Sequence, residues 1–150
     1  MDETVKERKL IRSAAIQLGV ILLIVHFIVV IGRWYHTYPW IDIPQHFLGG
    51  ILVALIFYWI NYAHPRSFKL ISNFSVPIVL VVSWAAFLGV LFEFSEFIYD
   101  LIFFDYWKLT SFPSQLGLRD TMGDLFFDIL GGFALAIFMR LRYDRRKRQL

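Results

Sequence analysis

The residues that could do chemistry in this sequence are mostly acids, and they recur at helical intervals. Asp42 and His46 stand four apart. Glu93, Glu96 and Asp100 follow an i, i+3, i+7 pattern, and Asp120, Asp124 and Asp128 an i, i+4, i+8 pattern. Residues so spaced stack over one another on one face of a helix. Carboxylates with one imidazole suit Mg²⁺, Mn²⁺, Fe²⁺ or Zn²⁺. The expected metal ligands are therefore His46, Glu93, Glu96, Asp124 and Asp128, and the expected cofactor is a divalent cation. His46 is a ligand or an acid–base group, Asp42 or Asp120 is the candidate general base, and Arg119 is placed to hold a phosphate. Carboxylates from facing helices beside a His are also how helical bundles hold two metals. No cysteine is present, which excludes disulfides, Cys-ligated zinc, iron–sulfur clusters and cysteine catalysis. There is no glycine-rich phosphate loop, and Ser95, between the two glutamates, has no base placed for it.

The elements that must position these groups are spanning helices. Of the 150 residues, 58% are hydrophobic and only 18% charged, an excess of apolar side chains too large for a soluble core. About 20 apolar residues cross a bilayer as a helix. Four segments qualify, at about 13–32, 43–63, 76–101 and 120–140, and they predict an all-α polytopic protein, a four-transmembrane-helix bundle forming one integral membrane domain. The first segment has a basic start but is too long for a signal peptide and lacks a small-residue cleavage site, so it reads as a retained helix. The last carries three aspartates and is the least apolar.

Lys and Arg set the orientation. The N-terminal tail (Lys6, Arg8, Lys9, Arg12), the middle loop (Arg66, Lys69) and the C-terminal tail (Arg140, Arg142, Arg145, Arg146, Lys147, Arg148) hold twelve of the fifteen basic residues. The other two loops hold Arg33, Lys108 and Arg119. Both termini are thus expected in the cytoplasm of a cell whose inner or plasma membrane holds the chain, with membrane lipid as its surroundings. The basic tail reads as an orientation signal resting on anionic lipid, not as a nucleic-acid site. Aromatic residues mark the interfaces: Trp34, Tyr35, Tyr38 and Trp40 in the first outer loop, Phe103, Phe104, Tyr106 and Trp107 at the start of the second, and Tyr58, Trp59 and Tyr62 at the inner end of the second span. The second outer loop, 103–118, contains Pro113 and Gly117, which argue against one continuous helix. It is expected to lie on the membrane surface as a lid.

Eight of the twelve acids lie between positions 42 and 128, and this topology gathers them on the outer side. Helix rise puts His46 about 6 Å, Glu93 about 10 Å and Asp128 about 12 Å below the surface. The three helices therefore predict a polar funnel opening outward. An Asp at a helix centre costs roughly 2.5–3.5 kcal/mol on insertion scales. With so few basic partners on that side, protons stay on, water enters, or a cation is bound. The remaining histidines carry blander expectations: packing for His26 and solvation for His64, while His36 in its aromatic loop stays open. Asp100, Asp105 and Asp120 are equally well read as interfacial residues. Gly49–Gly50 and Gly131–Gly132 permit close helix approach.

Gln45-His46-Phe47-x-Gly49-Gly50, Glu93-x-x-Glu96 and Asp120-Thr121-x-x-Asp124 with Asp128 together resemble a pattern in small bacterial inner-membrane proteins of the YjdF and VanZ-like kind. The likeness covers the second to fourth spans. It implies a helical membrane fold with polar motifs and assigns no reaction.

Three functions are compatible with these residues. The first is a metal-dependent hydrolase or transferase acting on a lipid-linked substrate at the headgroup level. The second is a cation or proton transporter, against which stand the apolar runs Ile51–Ile60 and Phe133–Met139 in the inner half. The third is an accessory protein whose acids bind a basic partner. Four short helices with a polar interior are also expected to form a homo-oligomer.

Overall fold

Every apolar segment of the sequence becomes a helix in the computed structural model, which describes residues 3–61, 75–110 and 112–148. Helix α1 spans Glu3–Ile31, α2 is the short Trp34–Thr37 turn, α3 spans Asp42–Asn61, α4 spans Ser75–Tyr99 and α5 spans Leu118–Lys147. A 3₁₀ turn, Pro39–Ile41, leads into α3. Pro39 opens that turn, where a missing N–H costs nothing. No strand occurs among the described residues. Four of the helices are long and apolar enough to cross a membrane, as the composition requires. The expected end of the second span at Ala63, the aromatic Tyr62, the loop residues Arg66 and Lys69, and His64 lie outside the described residues.

The spans run antiparallel in sequence order, so both chain termini share one end. Arg142 of α5 meets Glu7 of α1 at 3.5 Å there, and the Arg8 guanidinium lies 5.9 Å from the Trp59 ring centroid of α3. α3 is the central element: it packs most closely on α5 and also meets α1 and α4. Its closeness to α5 follows from glycine. A side chain on Gly50 would collide with the Asp128 carbonyl, and one on Gly131 with the Phe47 carbonyl. Small residues at crossings let two backbones approach within lipid, where no hydrophobic force between helices is available. On α4, a Cβ at Gly89 would come within 2.7 Å of Asp128 Oδ2. The same glycines that close the bundle thus bring Asp128 to its middle.

Two regions share the interior. The half toward the termini is apolar, built from Ile11, Ala15, Ala54, Leu55, Tyr58, Val81 and Ala136. The other half is polar. α1 is the outlying helix. It exposes Val20, Leu23, Ile24, Phe27 and Ile28, a surface suited to acyl chains.

The α4 helix does not stop where its span does. Asp100–Tyr106 continues it as a wider π turn, closed by Trp107 N–H donating to the Ile102 carbonyl at 2.9 Å. The chain then reverses through Lys108 at φ 53° and Gly117 at φ 113°, a conformation in which glycine alone is unstrained. The second outer loop is therefore shorter than the expected 103–118, because a helical turn absorbs its first residues.

Candidate metal centre

Helical spacing on α3, α4 and α5 aims one acidic face of each at the polar half of the interior. His46, Glu93, Asp100, Asp124 and Asp128 are all buried, none more than 8% exposed. His46 is the hub. Its Nε2 lies 3.6 Å from Asp42 Oδ1, one turn earlier on α3. It lies 3.8 Å from Asp124 Oδ1 on α5 and 4.0 Å from Glu93 Oε1 on α4. Its Nδ1 meets Asp128 Oδ2 at 3.3 Å.

These separations identify which groups act on each other. The 3.3 Å contact at Nδ1 is a long hydrogen bond, whereas the 3.6–4.0 Å gaps at Nε2 are beyond bonding distance, so Nε2 is bonded to none of its three acids. Four ligand atoms about 2.1 Å from one ion, the usual Zn–N and Zn–O length, stand about 3.4 Å apart. The observed 3.6–4.0 Å exceeds that by a few tenths of an ångström. One ligand atom each from Asp42, His46 and Asp124 falls within 4.8 Å of the other two. Glu93 adds an independent sign: its Oε1 is buried with no hydrogen-bond partner among the described residues. A buried carboxylate oxygen without a partner is costly. This oxygen lies 4.0 Å from His46 Nε2 but outside the ligand-spaced group of Asp42, His46 and Asp124, so those three residues fit a divalent cation and Glu93 stands beside them.

The supporting contacts are equally specific. A neutral imidazole that ligates through Nε2 carries its proton on Nδ1 and donates it to a carboxylate behind it; Asp128 occupies that place. Gln115 Nε2 donates to Glu93 Oε2 at 3.0 Å and to the Glu93 carbonyl at 2.9 Å, which ties down one oxygen and leaves Oε1 directed inward. Gln115 is itself fixed, since the Ser114 and Gln115 backbone N–H groups donate to the two Asp100 oxygens at 2.7 and 2.9 Å. The 112–117 loop is thereby folded down over Glu93.

The expected site residues divide accordingly. Asp42, His46 and Asp124 converge, and Glu93 stands beside them, 4.0 Å from His46 Nε2. Asp128 is brought to the imidazole, on its opposite nitrogen from the other acids. Glu96 shares no contact with His46 Nε2; it faces a neighbouring cavity. Asp120 Oδ2 accepts the Leu116 N–H at 3.0 Å, so it holds the start of α5. Arg119 is exposed and forms no ion pair among the described residues. Asp100 serves the loop, while Asp105 is exposed. Ser95 donates to its own helix, to the Phe92 carbonyl at 2.6 Å.

Two features escape sequence reasoning. Gln115 lies in a loop with no motif around it. His26, expected to be a packing residue, accepts from or donates to Tyr35 Oη at 2.8 Å, and Tyr35 bonds Gln45 Oε1 at 2.9 Å. Burial, with the Asp42 carboxylate nearby, pushes the Tyr35 phenol well above its ordinary value, so it stays a donor at every physiological pH. His36 stacks on Phe112 with ring centroids 4.1 Å apart, which joins the two loops at this end.

A model of the family described as "Predicted membrane protein (DUF2238)" matches residues 6–145. A Thermotoga maritima protein named only as uncharacterised is 33% identical over 110 residues, 71% of this chain and 53% of its own length. The chain therefore spans about half of that relative. No solved structure matches. These likenesses agree with a small membrane protein and do not confirm the YjdF or VanZ-like label.

Proposed function

We propose that this chain, which belongs to the DUF2238 family of membrane proteins, holds a divalent cation among its spanning helices and acts as a metal-dependent hydrolase or transferase on a lipid-linked substrate. One observation carries the reading: His46 Nε2 and oxygens of Asp42 and Asp124 lie together at ligand spacing, and Glu93 Oε1, 4.0 Å from the same nitrogen, is buried with no hydrogen-bond partner among the described residues.

In this reading Asp42, His46, Glu93 and Asp124 hold the ion. An imidazole among the ligands suits Zn²⁺, Mn²⁺ or Fe²⁺ better than Mg²⁺, which keeps most of its water. The bound ion would supply Lewis-acid polarisation of a phosphoryl or acyl oxygen. Asp128 is a positioning residue that fixes the imidazole tautomer. Gln115 is another, because it orients Glu93. Glu96, which lines the adjoining cavity, is the acid–base group. It takes that role from Asp120, whose carboxylate is occupied by Leu116.

The distribution of Lys and Arg supports placing the site in the outer half of the membrane, with both termini cytoplasmic. The apolar core between Ile11 and Ala136 supports a one-sided site over a conducting path. The test is turnover. Chelator-stripped protein in liposomes is reloaded with Mn²⁺ or Zn²⁺ and given polyprenyl phosphate or an acyl-ester lipid. Metal-dependent release of phosphate or fatty acid, lost in Asp124→Asn, supports the enzyme. Tight metal binding without turnover of either lipid leaves a binding or accessory role.

A further inference from the structure

A cavity of about 490 Å³ adjoins the candidate centre between α1, α3 and α4. Asp42 and His46 belong to both, and Glu96 completes its polar end. The other end is apolar, walled by Gly19 and Leu22 of α1, Leu52 of α3 and Leu88 of α4. From His46 to Leu52 along α3 the cavity descends about 9 Å. A Cβ on Gly19 would touch only the Leu52 side chain, at 3.7 Å, so this wall is thin.

Its open side follows from the helix packing. α1 rests on α3 and hardly touches α4. The space between α1 and α4 is therefore a cleft facing sideways, toward the bilayer that surrounds a spanning helix.

We infer that this cleft takes the single hydrocarbon chain of a lipid whose head is a phosphate-type anion, the head lying at Asp42 and His46. The inference rests on the metal-centre reading for its head and on the cleft for its chain. The apolar wall selects a hydrocarbon, and the volume lies in the roughly 300–1,000 Å³ range of sites that enclose one small ligand. No Lys or Arg lines the cavity among the described residues, so the positive charge that balances an anionic head is the cation that the acids bind, with Tyr35 and Gln45 beside it as neutral hydrogen-bonding groups. Glu96 stands beside that head, where a proton is needed by a leaving oxygen. A chain entering sideways from the bilayer keeps its methylenes out of water throughout.

The test uses the full chain, metal-loaded, in liposomes with a trace of an alkyl phosphate carrying a diazirine midway along its chain. After irradiation the labelled residues are mapped by mass spectrometry. Label is expected on Leu22, Leu52 and Leu88 in excess of lipid-facing Ile24 and Phe27. Unlabelled alkyl phosphate should compete, and inorganic phosphate should not. Gly19→Trp or Leu22→Trp should fill the cleft and reduce its labelling several-fold with metal content unchanged, while Ile24→Trp on the lipid face should leave it intact. Label spread evenly over Ile24 and Phe27, insensitive to either filling variant, overturns the cleft; metal retained in that experiment leaves the proposed centre standing. Inorganic phosphate competing as well as the alkyl phosphate overturns the role of the chain. Wild-type protein that labels Leu22, Leu52 and Leu88 without binding metal upholds the chain site and overturns the centre.

Discussion

Asp128→Asn changes one charge and almost no volume, which makes it a clean probe of the imidazole's orientation. The Asp128 carboxylate receives His46 Nδ1 at 3.3 Å and is flanked by Gly49 and Gly89, while Gly50 lies against the Asp128 backbone. An amide of the same shape fits that space and can still accept the Nδ1 proton through its oxygen. What it loses is the negative charge that makes Nε2 a better ligand. Such outer carboxylates typically contribute 10- to 100-fold in metal affinity. The 3.3 Å bond is long, so the lower bound applies: about tenfold weaker binding, or about 1.4 kcal/mol. Asp124→Asn, which removes an oxygen facing Nε2 itself, should cost more. Competition against a chromogenic chelator in mild detergent reads both values, and melting in excess chelator checks folding. Unchanged affinity in Asp128→Asn, beside a clear loss in Asp124→Asn, would refute the claim that the Asp128 charge makes Nε2 a better ligand.

Four further outcomes follow from the same geometry. Gly50→Val should abolish the folded bundle, because backbone-to-backbone contact with Asp128 cannot relax, whereas Gly123→Ala, with no atom within 4 Å of the added methyl, should be neutral or raise stability by about 0.5–1 kcal/mol; thermal melting separates them. Gln115→Ala removes the bonds to Glu93 and should cost about 1–3 kcal/mol, with faster hydrogen exchange confined to 112–117. Ligand oxygens and Nε2 bind only when deprotonated, so binding releases protons and Kd should rise as pH falls; equal Kd at pH 8 and pH 6 would contradict that ligand set. Arg119→Ala should leave metal affinity unchanged, since the side chain is exposed; a clear loss of affinity in the same titration would count against that placement.

The spans were legible because lipid imposes a length and a composition that few other environments demand. The helices outrun the expected spans: α1 begins at Glu3, well before position 13, the last helix continues to Lys147, beyond position 140, and the π turn extends α4 past Asp100. The acidic faces were legible for a related reason: a carboxylate in an apolar span is costly, so its spacing points inward. Roles within the cluster were not legible. Asp124 and Asp128 are one turn apart on the same face, yet one meets Nε2 and the other Nδ1. That distinction depends on how closely α5 approaches α3 across Gly50 and Gly131, which periodicity does not report. Asp120 continues the same spacing but faces a loop N–H, because the helix begins two residues earlier at Leu118. Gln115 was hidden altogether, since its role arises from a chain reversal at Gly117 that carries it back over Glu93.

The most direct test of the central claim is metal content. Protein purified in mild detergent is analysed by mass spectrometry beside a Glu93→Gln, Asp124→Asn double variant, as isolated and after incubation with Zn²⁺, Mn²⁺ or Mg²⁺. The account predicts a stoichiometric divalent ion in the wild type, lost from a variant that still folds. No bound ion under any of these conditions, together with unchanged melting, would contradict it.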